Sequence, residues 1–240
     1  MITSGYPWSS ARKTEIVDLA NGVACSDLAE FPVEIHGAVG VNFDGIPVVC
    51  GGRTHEGPNT YSQKCYRFTN GVWEEITSMK EKRGFAVGVM YNEKLHVFGG
   101  YGASRSQTSE TINLDGEITD GTDLPTAVSI HAMTSINDTV SLISGGRTNF
   151  IYNSAQTWYY NHDTEAFSSG PDLLEGRNSH GSAIIVDKVT KAKIVVVAGG
   201  LNGANVFMDS TEMLINGQWK TGTIQYRKKK VFICFSDIFV

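Results

Sequence analysis

Proline is scarce in this chain, six residues in 240, and no apolar run approaches the roughly 18 residues that a membrane-spanning helix needs. Lysine and arginine are outnumbered by acidic residues, 20 against 25, and the net charge of -5 argues against a polyanionic partner, so no nucleic acid is expected. Four cysteines, Cys25, Cys50, Cys65 and Cys234, form no CxxC pair, which excludes zinc-finger spacing and leaves the redox compartment open. The N-terminus MITSGYPWSSARK lacks the continuous apolar core of a secretory signal, so no membrane association is expected and the cytoplasm is favoured. There is no GxSxG elbow, HExxH, Ser-His-Asp constellation or paired-carboxylate motif, so no catalytic residues are assigned. Glycine, in contrast, is plentiful: 26 residues with so few prolines point to many tight turns rather than long helices.

The glycines are organised. An apolar run ends in a glycine pair in VVCGGR (Gly51-Gly52), HVFGGY (Gly99-Gly100), LISGGR (Gly145-Gly146) and VVAGGL (Gly199-Gly200), and ITSGY places a degenerate copy at Ser4-Gly5. From 4 to 51, 51 to 99, 99 to 145 and 145 to 199 the intervals are 47, 48, 46 and 54 residues. Between the pairs lie two sets of turn signals, Asp44-Gly45, Asn92-Glu93 and Asn137-Asp138 before the glycine strand, and Asn21-Gly22, Asn70-Gly71, Asp115-Gly116 and Asn216-Gly217 after the next one. Asn and Gly supply the positive φ angles of two-residue hairpins, so each unit is expected to be a four-stranded antiparallel meander, with strands A to D in chain order. A sheet of this size cannot bury both faces alone, whereas stacked copies can. The glycine pairs therefore mark strand ends; a phosphate-binding loop would need a helix after them.

A period near 48 residues, a double glycine after an apolar strand, and an aromatic on strand C followed by a tryptophan resemble the kelch repeat. Tyr66 with Trp73 carries the pattern, and Tyr160 with Phe167 and Met213 with Trp219 carry it in weaker form. The resemblance implies an all-β, kelch-type β-propeller of about five blades, spanning 1–32, 33–82, 83–128, 129–178 and 179–222. The first blade would lack its innermost strand, the ring would be incomplete, and 223–240 would be a tail outside the repeat. It also implies that the loops joining B to C and D to A share one partner-binding face. Many relatives reach a ubiquitin ligase through a BTB domain, but no residues here resemble one, so that link rests on the resemblance alone.

The expected function is non-catalytic recognition or scaffolding of a protein partner, with no cofactor. Arg53, Tyr101, Arg105, Arg147, Phe150 and Asn202 follow their glycine pairs at similar offsets, and with His180 from a D–A loop they form the expected partner-binding set. Arginine and aromatic residues give much contact area for few frozen torsions. The alternative is a propeller enzyme or metal-binding protein with a site at the channel mouth: His36, His131 and His180 count to one repeat position, where imidazoles could ring a metal. Packing roles for these histidines are the simpler expectation. Cys50 and Cys65 fall on adjacent antiparallel strands, and both a disulfide and two buried thiols fit.

Overall fold

The computed structural model describes residues 2–3, 12–18, 23–25, 28–187 and 189–222. The Ser4-Gly5 copy, the first B–C loop up to Ala11, the Asn21-Gly22 turn and the tail 223–240 lie outside them. The chain divides into two compact units, 1–121 and 122–240.

The first unit holds two complete meanders. Val39–Phe43, Ile46–Cys50, Lys64–Thr69 and Val72–Ser78 pair in sequence order, as do Val87–Tyr91, Lys94–Phe98, Ser109–Ile112 and Ile118–Asp120. They are preceded by a sheet of Ile2–Thr3, Thr14–Asp18 and Val23–Cys25, which corresponds to strands B, C and D; strand A of that blade is absent among the described residues. The second unit holds Ala132–Ser135, Val140–Ser144, Thr157–Asn161 and Ala166–Ser169, then Gly181–Val186, Lys193–Ala198, Thr211–Ile215 and Gln218–Gly222.

Turn chemistry sets the hairpins. Phe43 pairs with Ile46 across Asp44 and Gly45, whose φ values are 49° and 85°, and Tyr91 pairs with Lys94 across Asn92 and Glu93, at 52° and 58°. Both are two-residue loops with positive φ throughout, whose twist suits the flanking strands. Asn137-Asp138 departs from this expectation. The last paired residues are Ser135 and Ser141, and Asn137 Oδ1 accepts the amides of Thr139 and Val140, an Asx-type closure of a wider loop.

The glycine pairs tie each blade to the next within a unit. Gly51 and Gly52 have φ of 71° and 101°, and the Gly52 amide donates to the carbonyl of Arg83, which precedes strand A of the following blade, at 2.7 Å. A Cβ on Gly51 would stand 2.3 Å from that same carbonyl oxygen, so both the angle and the space require glycine. Gly146 repeats the bond to Arg177 at 2.8 Å.

The cores lie between successive sheets. Val39, Val41, Phe43, Val48, Cys50 and Cys65 of one sheet pack with Leu95, Val97 and Ile112 of the next, closed by Met79. Phe31, Ile35, Val49 and Tyr66 form a second cluster, flanked by Trp73. In the second unit Leu142, Leu173, Val195, Val197 and Trp219 play the same part. The tryptophans of the sequence pattern bridge blades: Trp73 Nε1 donates to Thr14 Oγ1 at 3.0 Å, and Trp219 Nε1 to the Pro171 carbonyl at 2.8 Å. Strand A of the third blade is also crowded. A Cβ on Gly88 would come within 2.4 Å of Val39 Cγ1, which explains the small residues there. Cys50 and Cys65 are direct cross-strand partners and are joined as a disulfide, settling the choice left open above.

Candidate functional site

The residue after each glycine pair turns back against the segment leading into strand A. His36 pairs with Arg53, Gly84 with Tyr101, Ser129 with Arg147, and Asn178 with Leu201. This register places His36 level with Gly84, Ser129 and Asn178, while His131 and His180 fall two residues further on, level with Ala38 and Ala86. The expectation that all three histidines share one position is therefore corrected: the A–B hairpins differ in length, so counting back from the glycines loses phase. Only His131 and His180 are equivalent.

One residue earlier in the same register stand Ile35, Arg83, Val128 and Arg177. The Arg83 guanidinium is buried and donates from Nε and Nη2 to Glu110 Oε1 at 3.0 and 2.6 Å, and from Nη1 to the carbonyls of Gly99 and Thr108 at 2.9 and 3.0 Å. Glu110 also accepts the amides of Lys80 and Glu81. Arg177 repeats the arrangement, with Glu212 Oε1 at 2.6 Å, the carbonyls of Gly199 and Ser210 at 3.0 and 3.3 Å, and Glu212 accepting the amides of Leu174 and Glu175. Each ion pair thus fastens the D–A loop that arrives from the preceding blade onto strand C of its own blade. Buried charges are tolerated when paired and fully hydrogen-bonded in this way. Sequence reading missed both pairs; the shared Arg in KEKRG and LEGRN and the shared Glu in TSETI and STEML were the available signals.

On this frame the first unit presents Arg53, Tyr61, Tyr101 and Arg105. Tyr61 and Tyr101 meet edge to face at 5.5 Å, and the Arg105 guanidinium lies 5.5 Å over the Tyr101 ring. Arg53 also bridges to Tyr61 through its backbone. Burial lowers the pKa of His36, with the Arg53 charge adding to it, and burial raises that of Tyr61. Three of the expected residues are therefore brought together in this unit.

In the second unit Arg147 stacks at 3.5 Å over the Tyr152 ring. Phe150, 95% exposed, stands between them in sequence with Ile151, and Thr148 Oγ1 holds their loop by accepting the amides of Phe150 and Ile151. The neighbouring B–C loop carries Val206 and Phe207, the latter 70% exposed, and the D–A loop carries exposed Leu174. These three loops touch: Asn153 Nδ2 donates to the Leu201 carbonyl at 2.9 Å, and Asn178 Nδ2 to Asn153 Oδ1. Sequence reading missed Tyr152, Leu174, Val206 and Phe207, which only their exposure distinguishes.

Two expected residues are engaged by hydrogen bonds of their own. Half-exposed Asn202 braces its loop, where Oδ1 accepts the amides of Ala204 and Val206, and its Nδ2 donates to Glu175 Oε1 at 3.5 Å. His180 is 7% exposed, with Nε2 2.9 Å from Ser144 Oγ, so it is a core residue rather than a loop contact. Burial pushes the pKa of both His131 and His180 down to about 3, and for His180 the charges of Arg177 and His131 add to it. Among the described residues no three His, Cys, Asp or Glu side chains are grouped as a metal site requires.

Four-stranded antiparallel units with paired positive-φ glycines, bridged by strand-D tryptophans, resemble the blades of a kelch-type propeller. No family model matches the chain. It is similar to Kelch-like protein 26 of Danio rerio, at 24% identity over 166 residues that cover 66% of this chain and 26% of that protein. The chain thus spans about a quarter of the length of the curated relative it matches, and its sheet topology is consistent with that similarity.

Proposed function

We propose that the chain is a non-catalytic protein-interaction module that holds a protein partner with its B–C loops, supported by the D–A loops. The observation that carries this reading is the exposure of Phe150, Ile151, Tyr152, Val206 and Phe207 on loops braced by hydrogen bonds. Aromatic side chains fixed on a rigid scaffold are the usual anchors of protein recognition. In the first unit the contact residues are Arg53, Tyr101 and Arg105; in the second they are Arg147, Phe150 and Asn202, while His180 lies in the core beneath them.

The test is affinity capture of a partner followed by variants of matched folded stability. Phe150→Ala, Arg147→Ala and Tyr101→Ala are expected to weaken capture by about 2 kcal/mol for a true anchor, while the hairpin-tip changes Glu93→Ala and Asp138→Ala leave it unchanged. The reverse pattern would put the partner at the opposite ends of the blades.

A further inference from the structure

The loop end of the second unit carries an apolar surface with an acidic rim. Phe150, Ile151, Tyr152, Leu174, Val206 and Phe207 are exposed there. Of the charged side chains on loops 147–156, 170–178 and 201–210, Arg177 is buried in its pair with Glu212, which leaves Arg147 against Asp172, Glu175 and Asp209, or one positive against three negative. Strand Gln218–Gly222 delivers the chain to this same end: Gly222 pairs with Thr211, the first residue of strand C after loop 201–210. The next residues read TIQYRKKKVFICF, in which Arg227, Lys228, Lys229 and Lys230 precede Val231, Phe232, Ile233 and Phe235 with no acidic residue among them.

We propose that residues 226–235 of this chain dock on the loop surface of the second unit, with Phe232 and Phe235 against the exposed aromatic residues and the four cations beside Asp172, Glu175 and Asp209. The chemistry matches on both counts, apolar on apolar and positive on negative. Residues 223–226 add about 13 Å of reach when extended, from a strand end that pairs with the residue closing loop 201–210. The consequence for function rests on the interaction reading above: a docked tail occupies the same loops as the partner and competes with it. A short tether gives an effective concentration in the mM range, so a segment that binds about tenfold more tightly than that as a free peptide is docked with a ratio of about ten to one.

Hydrogen exchange of the full chain tests this. Exchange at 149–153 and 202–207 is expected to rise about tenfold in Phe232→Asp/Phe235→Asp and in Lys228→Glu/Lys229→Glu/Lys230→Glu, the factor following from that same ratio, while Val140–Ser144 and Lys193–Ala198 keep their protection and so report an intact fold. The reciprocal change Phe150→Ser/Phe207→Ser is expected to speed exchange within 226–235. Equal loop exchange in the parent and both tail variants overturns the proposal. Loop protection that fades on dilution assigns the surface to a second copy and overturns it too. Neither outcome touches the partner reading, which the loop variants test by capture.

Discussion

The entry to the second blade and the entry to the third, both in the first unit, solve one packing problem with opposite chemistry. At the second, Ile35 and Tyr66 are buried in an apolar cluster. At the third, the same two register positions hold Arg83 and Glu110 as a buried, hydrogen-bonded ion pair. The second unit alternates likewise, with buried Val128 and Trp158 entering its first blade and Arg177 and Glu212 entering its last. The two positions change together, polar with polar and apolar with apolar. A buried charge facing an apolar partner would pay full desolvation without compensation, so the pair rather than either residue is the unit of the repeat.

The comparison breaks most visibly if one member is removed. Glu110→Ala leaves the Arg83 guanidinium buried without its counter-ion and is expected to lower stability by about 3–5 kcal/mol in urea titration. The transplant Arg83→Ile/Glu110→Tyr, which copies the neighbouring entry, should recover most of that loss. A double variant no better than the single one would show that the two solutions are not interchangeable.

The disulfide sits at the apolar entry's blade. Replacing Cys50 and Cys65 by valine is expected to reduce stability by about 3 kcal/mol relative to the oxidised protein, the chain-entropy value for bridging a separation of 15 residues. The same variant compared with the reduced protein should show little difference.

Acid sharpens the contrast between the units at another shared position, where Ala38 and Ala86 in the first correspond to His131 and His180 in the second. The folded state keeps both imidazoles neutral down to about pH 3, whereas the unfolded chain protonates them below the ordinary value of 6.5. Between those values the unfolded state binds more protons, so stability falls as pH drops through 6.5 and levels off below about 3. At pH 5 the loss amounts to about 2 kcal/mol per histidine. His131→Ala/His180→Ala should flatten that part of the pH profile, although buried His96 in the first unit, with its pKa lowered to about 4, leaves a residual slope.

The smallest effect is expected on the exposed loops. In the Phe232→Asp/Phe235→Asp background, which removes tail docking, Phe150→Ala should change folding stability by less than about 0.5 kcal/mol, because almost none of the side chain is covered by the described residues. A larger loss in thermal unfolding would mean that the ring packs somewhere in the folded chain.

Glycine pairs, Asn-Gly turns and apolar strands were legible because each acts within a few residues: a positive φ or a two-residue loop is dictated locally, and repetition multiplies the signal. The sequence by itself therefore determined the meander, its approximate period and the four complete blades seen here. What it left open depended on residues far apart in the chain. The register of His36, Arg83 meeting Glu110, Cys50 meeting Cys65, and the burial of His180 were decided only when sheets stacked and the D–A segments folded back over strand C. Backbone geometry is read off neighbours along the chain, whereas charge pairing and burial depend on neighbours in space, and those the tertiary structure alone supplies.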